Sequence, residues 1–146
     1  METIRVMRPE DLPAVCAIEK ETFSQPWSEN GFLSSLNSPD TLYLSAFREE
    51  ELIAYCGLLQ SFDEADITNV AVREDCRGQG VGGRMLARLM ELGRQRGIER
   101  FTLEVRAGNE PALRLYKQLG FASVGVRKNF YEKPAEDAVI MWKEKE

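Results

Sequence analysis

The chain has 146 residues, and because one domain usually takes about 100–200 residues, we expect a single domain over 1–146. Its 43% hydrophobic and 29% charged residues predict a packed core and exclude a disordered chain. The net charge of −5 argues against non-specific nucleic-acid binding, and the absence of histidine excludes His-dependent triads and imidazole base chemistry.

The first half of the chain is predicted to form one strand, two helices and then three strands. Alternating apolar and polar residues predict a strand over 3–8, and Pro9 opens a helix whose apolar stripe begins at Leu12. Ser28 is the predicted N-cap of a second helix, which ends before Pro39. Charged turns separate the next three predicted strands and indicate antiparallel hairpins; the strands cover 41–47, 52–62 and 65–72.

The second half of the chain begins with a glycine-rich loop that leads into a helix ended by Gly97. A strand over 101–105 follows, and then a helix ended by Gly120. Two last strands are predicted over 122–128 and 137–143. The predicted order is β-α-α-β-β-β-α-β-α-β-β, an α/β (α+β) protein with a mixed, mostly antiparallel sheet flanked by helices.

The cysteines and the N-terminus bear on compartment and metal binding. Cys16, Cys56 and Cys76 are odd in number, far apart and contain no CxxC pair, which argues against a disulfide framework, a zinc site or any other metal centre. No apolar stretch has the length of a signal or membrane segment. We therefore expect a reduced, cytoplasmic protein that has no membrane partner.

The glycine-rich loop, Arg77-Gly78-Gln79-Gly80-Val81-Gly82-Gly83, predicts an anion site. Glycines let backbone N–H groups approach a ligand, and the start of the following helix carries partial positive charge, which suits a pyrophosphate. A tight turn without a ligand is the alternative. No lysine supports a Walker loop, and residues 73–77 separate the loop from the strand, unlike a dinucleotide fingerprint.

Several segments together resemble the GNAT family of acetyl-CoA-dependent N-acetyltransferases, over nearly the whole chain. They are the glycine-rich loop, Asn69-Val70-Ala71-Val72, Leu103-Glu104-Val105-Arg106-Ala107-Gly108-Asn109, Leu115-Tyr116 and Leu119-Gly120-Phe121. Within the family, Phe23-Ser24-Gln25-Pro26-Trp27-Ser28 and Asp137-Ala138-Val139-Ile140-Met141 are similar to the ribosomal-protein-alanine N-acetyltransferases of the RimI type.

The resemblance implies the GNAT fold and an enzyme that uses acetyl-CoA, without a metal, to acetylate the N-terminal alanine of a small-subunit ribosomal protein. It implies Glu104 as general base and Tyr116 as general acid in a direct transfer. It also implies a set of acetyl-CoA-binding residues: Val70, Ala71, Val72, Arg77, Gly78, Gln79, Gly80, Val81, Gly82, Gly83 and Asn109.

Each of these residues also has a plain structural interpretation. Glu104 fits an outward-facing strand position paired with Arg106 or another cation. Tyr116 has the spacing of a core aromatic, and Asn109 that of an N-cap. Cys76 lacks an activating histidine, so we interpret it as a structural thiol.

The acceptor side is predicted from aromatic residues. Phe23, Trp27, Phe130 and Tyr131 would line a peptide slot, and a simple hydrophobic cluster is an equal alternative. The subfamily commonly has two tyrosines where this chain has Phe130-Tyr131, so one phenol, and the hydrogen bond it would make from position 130, is missing. Two other functions stay open, a GNAT acting on a small amine or a lysine side chain and a non-catalytic acyl-CoA sensor.

Overall fold

The computed structural model describes residues 2–144, and its elements follow the predicted order. Short 3-10 turns, Pro9–Asp11 and Glu74–Cys76, precede the first helix and the glycine-rich loop. The strands are Glu2–Val6 (β1), Thr41–Arg48 (β2), Glu51–Ser61 (β3), Glu64–Val72 (β4), Arg100–Arg106 (β5), Ala122–Glu132 (β6) and Ala135–Glu144 (β7). The helices are Leu12–Thr22 (α1), Glu29–Leu36 (α2), Val81–Gln95 (α3) and Glu110–Gln118 (α4).

The helix ends agree with the signals in the sequence. The Ser28 hydroxyl accepts a hydrogen bond of 3.0 Å from a backbone N–H in the first turn of α2. Asn109 caps α4 in the same way, at 3.3 Å. Gly97 and Gly120 follow α3 and α4 with φ angles of 87° and 99°, which suit the left-handed residue that ends a helix.

The seven strands form one sheet in the order β1-β2-β3-β4-β5-β7-β6. The predicted hairpins β2–β3 and β3–β4 are confirmed, and every neighbouring pair is antiparallel except β4–β5. The last two strands are longer than predicted, because β6 and β7 continue to pair as far as Glu132 and Ala135 at their connecting turn.

The parallel pair β4–β5 separates after a short ladder. Only three residue pairs join the strands, from Glu64 with Arg100 to Asp66 with Thr102. Just beyond this ladder, β4 has a one-residue bulge at Thr68. Ile67 pairs with Leu58 of β3 and Asn69 pairs with the adjacent Gly57, so no residue of β3 is left to pair with Thr68. β5 continues along β7 to its end. The C-terminal halves of β4 and β5 therefore diverge and leave a gap in the sheet.

The two faces of the sheet bury different chemistry. The face under α3 and α4 is apolar, with Met85, Leu86 and Leu89 fully buried against the strands. The face under α1 and α2 buries Val15 and Phe32 together with tyrosines of β2 and β3. The buried polar residues Asp11, Glu19, Ser45 and Asn69 belong to this second face through their hydrogen bonds.

Cys16, Cys56 and Cys76 are all free thiols. Within residues 2–144, no group of three or more histidine, cysteine or acidic side chains is arranged to hold a metal ion. None of the helices in that range combines the length and apolar character needed to cross a bilayer.

Candidate active site

The gap between β4 and β5 opens into a cavity of about 800 Å³, a volume typical of small-molecule and cofactor sites. Its floor is formed by the diverging strands, from Ile67 to Val72 and from Leu103 to Arg106. Residues of α4, among them Ala112, Leu115 and Tyr116, line it as well. The bulge and the short parallel ladder are thus the features of the backbone that create the site.

One side of the cavity, here called the loop-side wall, consists of Val70, Ala71, Val72 and Arg77. The Arg77 Nε donates a hydrogen bond of 2.9 Å to the carbonyl oxygen of Val72. Its Nη2 lies 3.5 Å from the Oγ1 of Thr22 at the end of α1. Arg77 therefore fixes the first residue of the glycine-rich loop against the end of β4.

The glycine-rich loop runs from this wall to the first turn of α3. Gly78 and Gly80 have φ angles of 76° and 81°, a conformation that glycine adopts without steric cost, and Gly80 is the N-cap of α3. Val81 is buried in the core. Of the eleven predicted acetyl-CoA-binding residues, Val70, Ala71, Val72, Arg77 and Asn109 line the cavity, whereas Gly78 to Gly83 continue beyond its edge.

Glu104 lines the cavity from the middle of β5. Its carboxylate accepts a hydrogen bond of 3.0 Å from the Arg127 guanidinium of β6, and its side chain is 33% exposed. Arg106, which the sequence offered as a possible partner, instead pairs with Glu136 at 3.3 Å. The pairing of Glu104 with a cation is therefore confirmed, with Arg127 as the partner. Glu104 also lines the cavity, and its role as a general base stays a prediction.

Tyr116 is both a core residue and a cavity residue. It is 8% exposed, and its ring packs edge-on against Phe121 with 5.8 Å between centroids. Burial raises the pKa of the Tyr116 phenol to about 12, with smaller contributions from Cys56 and Tyr131. The hydroxyl is therefore protonated at neutral pH and can donate a hydrogen bond into the cavity.

A second part of the cavity lining, here called the hairpin-side wall, consists of Phe23, Ser24, Trp27, Tyr131 and Lys133. It contains three of the four residues predicted to line a peptide slot, Phe23, Trp27 and Tyr131, and the prediction for the fourth, Phe130, is wrong. Phe130 does not line the cavity. Its exposed ring packs edge-on against Tyr131, with 5.1 Å between centroids.

Hydrogen bonds connect the two segments of the hairpin-side wall. The Ser24 hydroxyl donates to the carbonyl oxygen of Lys133. The Arg106 guanidinium donates to the carbonyl oxygens of Lys133 (3.1 Å) and Pro134 (2.8 Å), and its Cζ lies 4.2 Å from the centroid of the Tyr131 ring. Arg106 therefore fixes the β6–β7 turn against β5.

Two buried polar residues of the cavity were absent from the predicted site. Glu19 is 2% exposed, and Asn69, 5% exposed, accepts a hydrogen bond of 3.2 Å at Oδ1 from the Tyr43 hydroxyl. A signal for Glu19 exists in the sequence, because it lies four residues after Val15 and so falls on the apolar stripe of α1. Asn69 gives no such signal, since its burial depends on the bulge at Thr68.

Comparison with known proteins identifies the family of this chain. Residues 12–121 match the family model described as the acetyltransferase (GNAT) family. This chain belongs to the GNAT family of acetyltransferases. The predicted GNAT fold is confirmed by a crystal structure of the ribosomal-protein-S18-alanine N-acetyltransferase from Escherichia coli, with a TM-score of 0.90 and 35% identity. The match covers 99% of this chain and 94% of that one.

A sequence relative and a more distant solved structure extend the comparison. The [ribosomal protein bS18]-alanine N-acetyltransferase of Escherichia coli strain K12 is 36% identical over 143 residues, which cover 97% of this chain and 96% of that protein. Arabidopsis thaliana NAA60, solved in complex with acetyl-CoA, has a TM-score of 0.88 at 20% identity, covering 99% of this chain and 98% of that one. At that identity the likeness shows the shared GNAT fold.

Proposed function

We propose that this GNAT acetyltransferase transfers an acetyl group from acetyl-CoA to the N-terminal α-amino group of a protein. The observation that carries the proposal is a single cavity lined by Glu104, Tyr116, Val70–Val72 and the aromatic residues of the hairpin-side wall. The Escherichia coli relative, which is alike over nearly the whole length of both chains, supports the N-terminal alanine of ribosomal protein bS18 as the substrate. A ribosomal substrate in turn supports a cytoplasmic location.

The loop-side wall suits acetyl-CoA, which supplies the acetyl group as a thioester. Because β4 has no ladder partner on the β5 side beyond Asp66, the backbone of Val70, Ala71 and Val72 is available to the pantetheine arm. Arg77 and the amide groups of the glycine-rich loop would hold the pyrophosphate, since α3 begins there with its N–H groups directed outward. Asn109 uses its Oδ1 to cap α4, which leaves its NH₂ group for the cofactor.

Glu104 is the proposed general base. An N-terminal amine has a pKa of about 7.7–8.0 and must lose a proton before it attacks the thioester carbonyl, so a carboxylate in the cavity is a sufficient acceptor, directly or through one water. The first proton passes to Glu104, the neutral amine then forms the C–N bond, and the second nitrogen proton leaves to solvent as the amide forms. Arg127 holds the carboxylate at 3.0 Å on its outer side and so fixes its orientation.

Tyr116 is the proposed general acid. The C–S bond breaks as the amide forms, and the sulfur leaves with a negative charge that a neighbouring O–H can stabilise and then neutralise. The buried phenol, with a pKa raised to about 12, retains its proton for this task at neutral pH. Its position on α4 is fixed by the contact with Phe121.

Phe23, Trp27 and Tyr131 form the proposed acceptor side. Trp27 and Phe23 are a little over one-third exposed, so their rings present apolar surface to an incoming chain. Because Ser24 joins the two segments of this wall and Arg106 fixes one of them against β5, the slot is largely formed before a peptide enters. A preformed slot reduces the entropy that binding must overcome.

The experiment compares thiol release from acetyl-CoA with a peptide that starts Ala-Arg and with the same peptide blocked at its N-terminus. Release that requires the free terminus supports the proposal. Release with polyamines or Nα-blocked lysine peptides in preference to the free terminus would replace it with a GNAT acting on other amines. Thermal stabilisation by acetyl-CoA without release from any acceptor would indicate an acyl-CoA sensor.

A further inference from the structure

A buried carboxylate, Glu19, borders the cavity and has no part in the proposed chemistry. It lies near the end of α1 and is 2% exposed. Charged side chains are almost never buried so fully unless they are paired or hydrogen-bonded. Within the described part of the chain, Glu19 has hydrogen bonds to two neutral donors and no ion pair.

Each carboxylate oxygen of Glu19 has its own donor. Oε2 accepts a hydrogen bond of 2.9 Å from the backbone N–H of Trp27, eight residues further along the chain. Oε1 accepts from the hydroxyl of Tyr55 in β3. Burial, and after it the hydrogen bond to Glu19, raises the pKa of Tyr55, so this phenol remains a donor. Glu19 thus joins the 23–28 segment to the sheet.

The Trp27 side chain is placed by the same arrangement. The centroid of its ring lies 5.2 Å from the centroid of the Phe32 ring. The Phe32 ring in turn packs edge-on against the Tyr55 ring, with 5.8 Å between centroids. Tyr55 is the residue that donates to Glu19, so the hydrogen bonds and the ring contacts form one closed group. Trp27 borders the cavity from the edge of this group.

We infer that Glu19 is a positioning residue for the acceptor substrate: it holds Trp27, and with it one segment of the hairpin-side wall, in the conformation that receives the peptide. The inference rests on the proposed function for its link to the peptide. The part that concerns structure, namely that Glu19 fixes Trp27, does not depend on the proposed catalytic activity. The role needs a polar atom at the reach of each carboxylate oxygen, an acceptor for the Trp27 N–H and a hydrogen-bond partner for the Tyr55 hydroxyl. It does not need the negative charge, because both donors are neutral.

Two substitutions separate reach from charge. Glu19→Gln retains the side-chain length, so Oε1 can accept from the Trp27 N–H while the amide NH₂ donates to the Tyr55 oxygen. Glu19→Asp retains the charge and is shorter by one methylene, so it cannot reach both partners. A positioning role predicts that Glu19→Gln retains peptide binding and that Glu19→Asp loses it. A role for the negative charge predicts the opposite result.

The test measures kcat and KM for the Ala-Arg peptide and for acetyl-CoA in both variants, with the pH dependence of kcat. We expect Glu19→Asp to lower kcat/KM for the peptide about tenfold or more, chiefly through KM, with KM for acetyl-CoA unchanged. We expect Glu19→Gln to stay within about threefold of the parent, with the same pH profile. A Gln variant that is weaker than Asp, or that has a displaced pH profile, would overturn the inference.

A second readout is independent of activity. In a Trp142→Phe background, Trp27 is the remaining tryptophan, and its emission and acrylamide quenching report its exposure. We expect increased quenching in Glu19→Asp and parent-like quenching in Glu19→Gln. Equal quenching in all three proteins would overturn the inference, whether or not the peptide is a substrate. If the parent protein fails to acetylate the peptide, the proposed function fails and the fluorescence result still decides whether Glu19 positions Trp27.

Discussion

The two walls of the cavity are built in different ways. The loop-side wall comes from one stretch of chain, Val70–Arg77, and presents mainly backbone that follows the β4 bulge and leads into the glycine-rich loop. The hairpin-side wall comes from two distant segments and presents side chains that Glu19, Ser24 and Arg106 hold in place. Backbone groups suit the cofactor, which is the same in every reaction cycle, and side chains can determine which acceptor binds. Substitutions should therefore affect cofactor binding on one side and acceptor binding on the other.

The largest effect is expected between the walls, at Glu104. Glu104→Gln should lower kcat by about 10²–10⁴, because it removes the proton acceptor, while the affinity for acetyl-CoA stays constant. The matched control is Glu64→Gln, another strand glutamate held by an arginine at 3.0 Å, which lies outside the cavity and should leave kcat unchanged. Turnover that matches the parent across the pH range would remove Glu104 from the chemistry.

A glycine pair tests the backbone wall. Gly78 and Gly97 both have positive φ and open space where a Cβ would go, so alanine at either position should cost about 1–2 kcal/mol of unfolding free energy. Only Gly78→Ala should also raise KM for acetyl-CoA, because Gly97 lies at the far end of α3. Urea unfolding and steady-state kinetics measure the two quantities. An equal KM for acetyl-CoA in the two variants would argue against a cofactor role for the loop.

The buried phenol of Tyr116 predicts a pH dependence of stability. Its pKa is raised from 10.0 to about 12 in the folded protein, so above pH 10 the unfolded chain loses the proton first and unfolding is favoured. The contribution of Tyr116 is complete below pH 10 and is lost as the pH rises toward 12. Between pH 9 and pH 11 the parent should lose about 1 kcal/mol more unfolding free energy than Tyr116→Phe. Equal losses in urea titrations would show that the phenol is not buried as described.

The smallest effect is expected at Phe130. Phe130→Tyr, which gives the pair of tyrosines common in the subfamily, should change kcat/KM for the peptide by less than about threefold, because the ring lies outside the cavity and an exposed hydroxyl gains little. Tyr131→Phe serves as the comparison inside the cavity and should have the larger effect on the peptide. The reverse order would assign Phe130 to the hairpin-side wall.

Local signals predicted the order of elements well. Ser28 and Asn109 are caps, Gly97 and Gly120 end helices, and the charged turns between the central strands form hairpins, because each of these features depends on residues within a few positions of one another. The glycine-rich loop was evident for the same reason. The roles assigned to residues of this loop and to Glu104 and Tyr116 stay predictions.

Long-range contacts explain what the sequence could not supply. The partner of Glu104 is Arg127, 23 residues further along the chain. β7 pairs with both β5 and β6, so β6 lies one strand beyond β7, and the long Arg127 side chain reaches Glu104 across it. The gap that makes the cavity depends on a one-residue bulge at Thr68, which no local pattern indicated. The position of Glu19 on the apolar stripe of α1 indicates burial, but its partner Tyr55 lies 36 residues away and depends on the packing of α1 on the sheet.

The most direct test of the account is the position of the acetyl group on a peptide that offers both kinds of amine. A peptide that starts Ala-Arg and contains one internal lysine is incubated with the protein and acetyl-CoA, and fragment masses locate the added acetyl group. The account predicts acetylation of the alanine α-amino group and an unmodified lysine side chain. Acetyl on the lysine Nζ, with the terminus free, would contradict it.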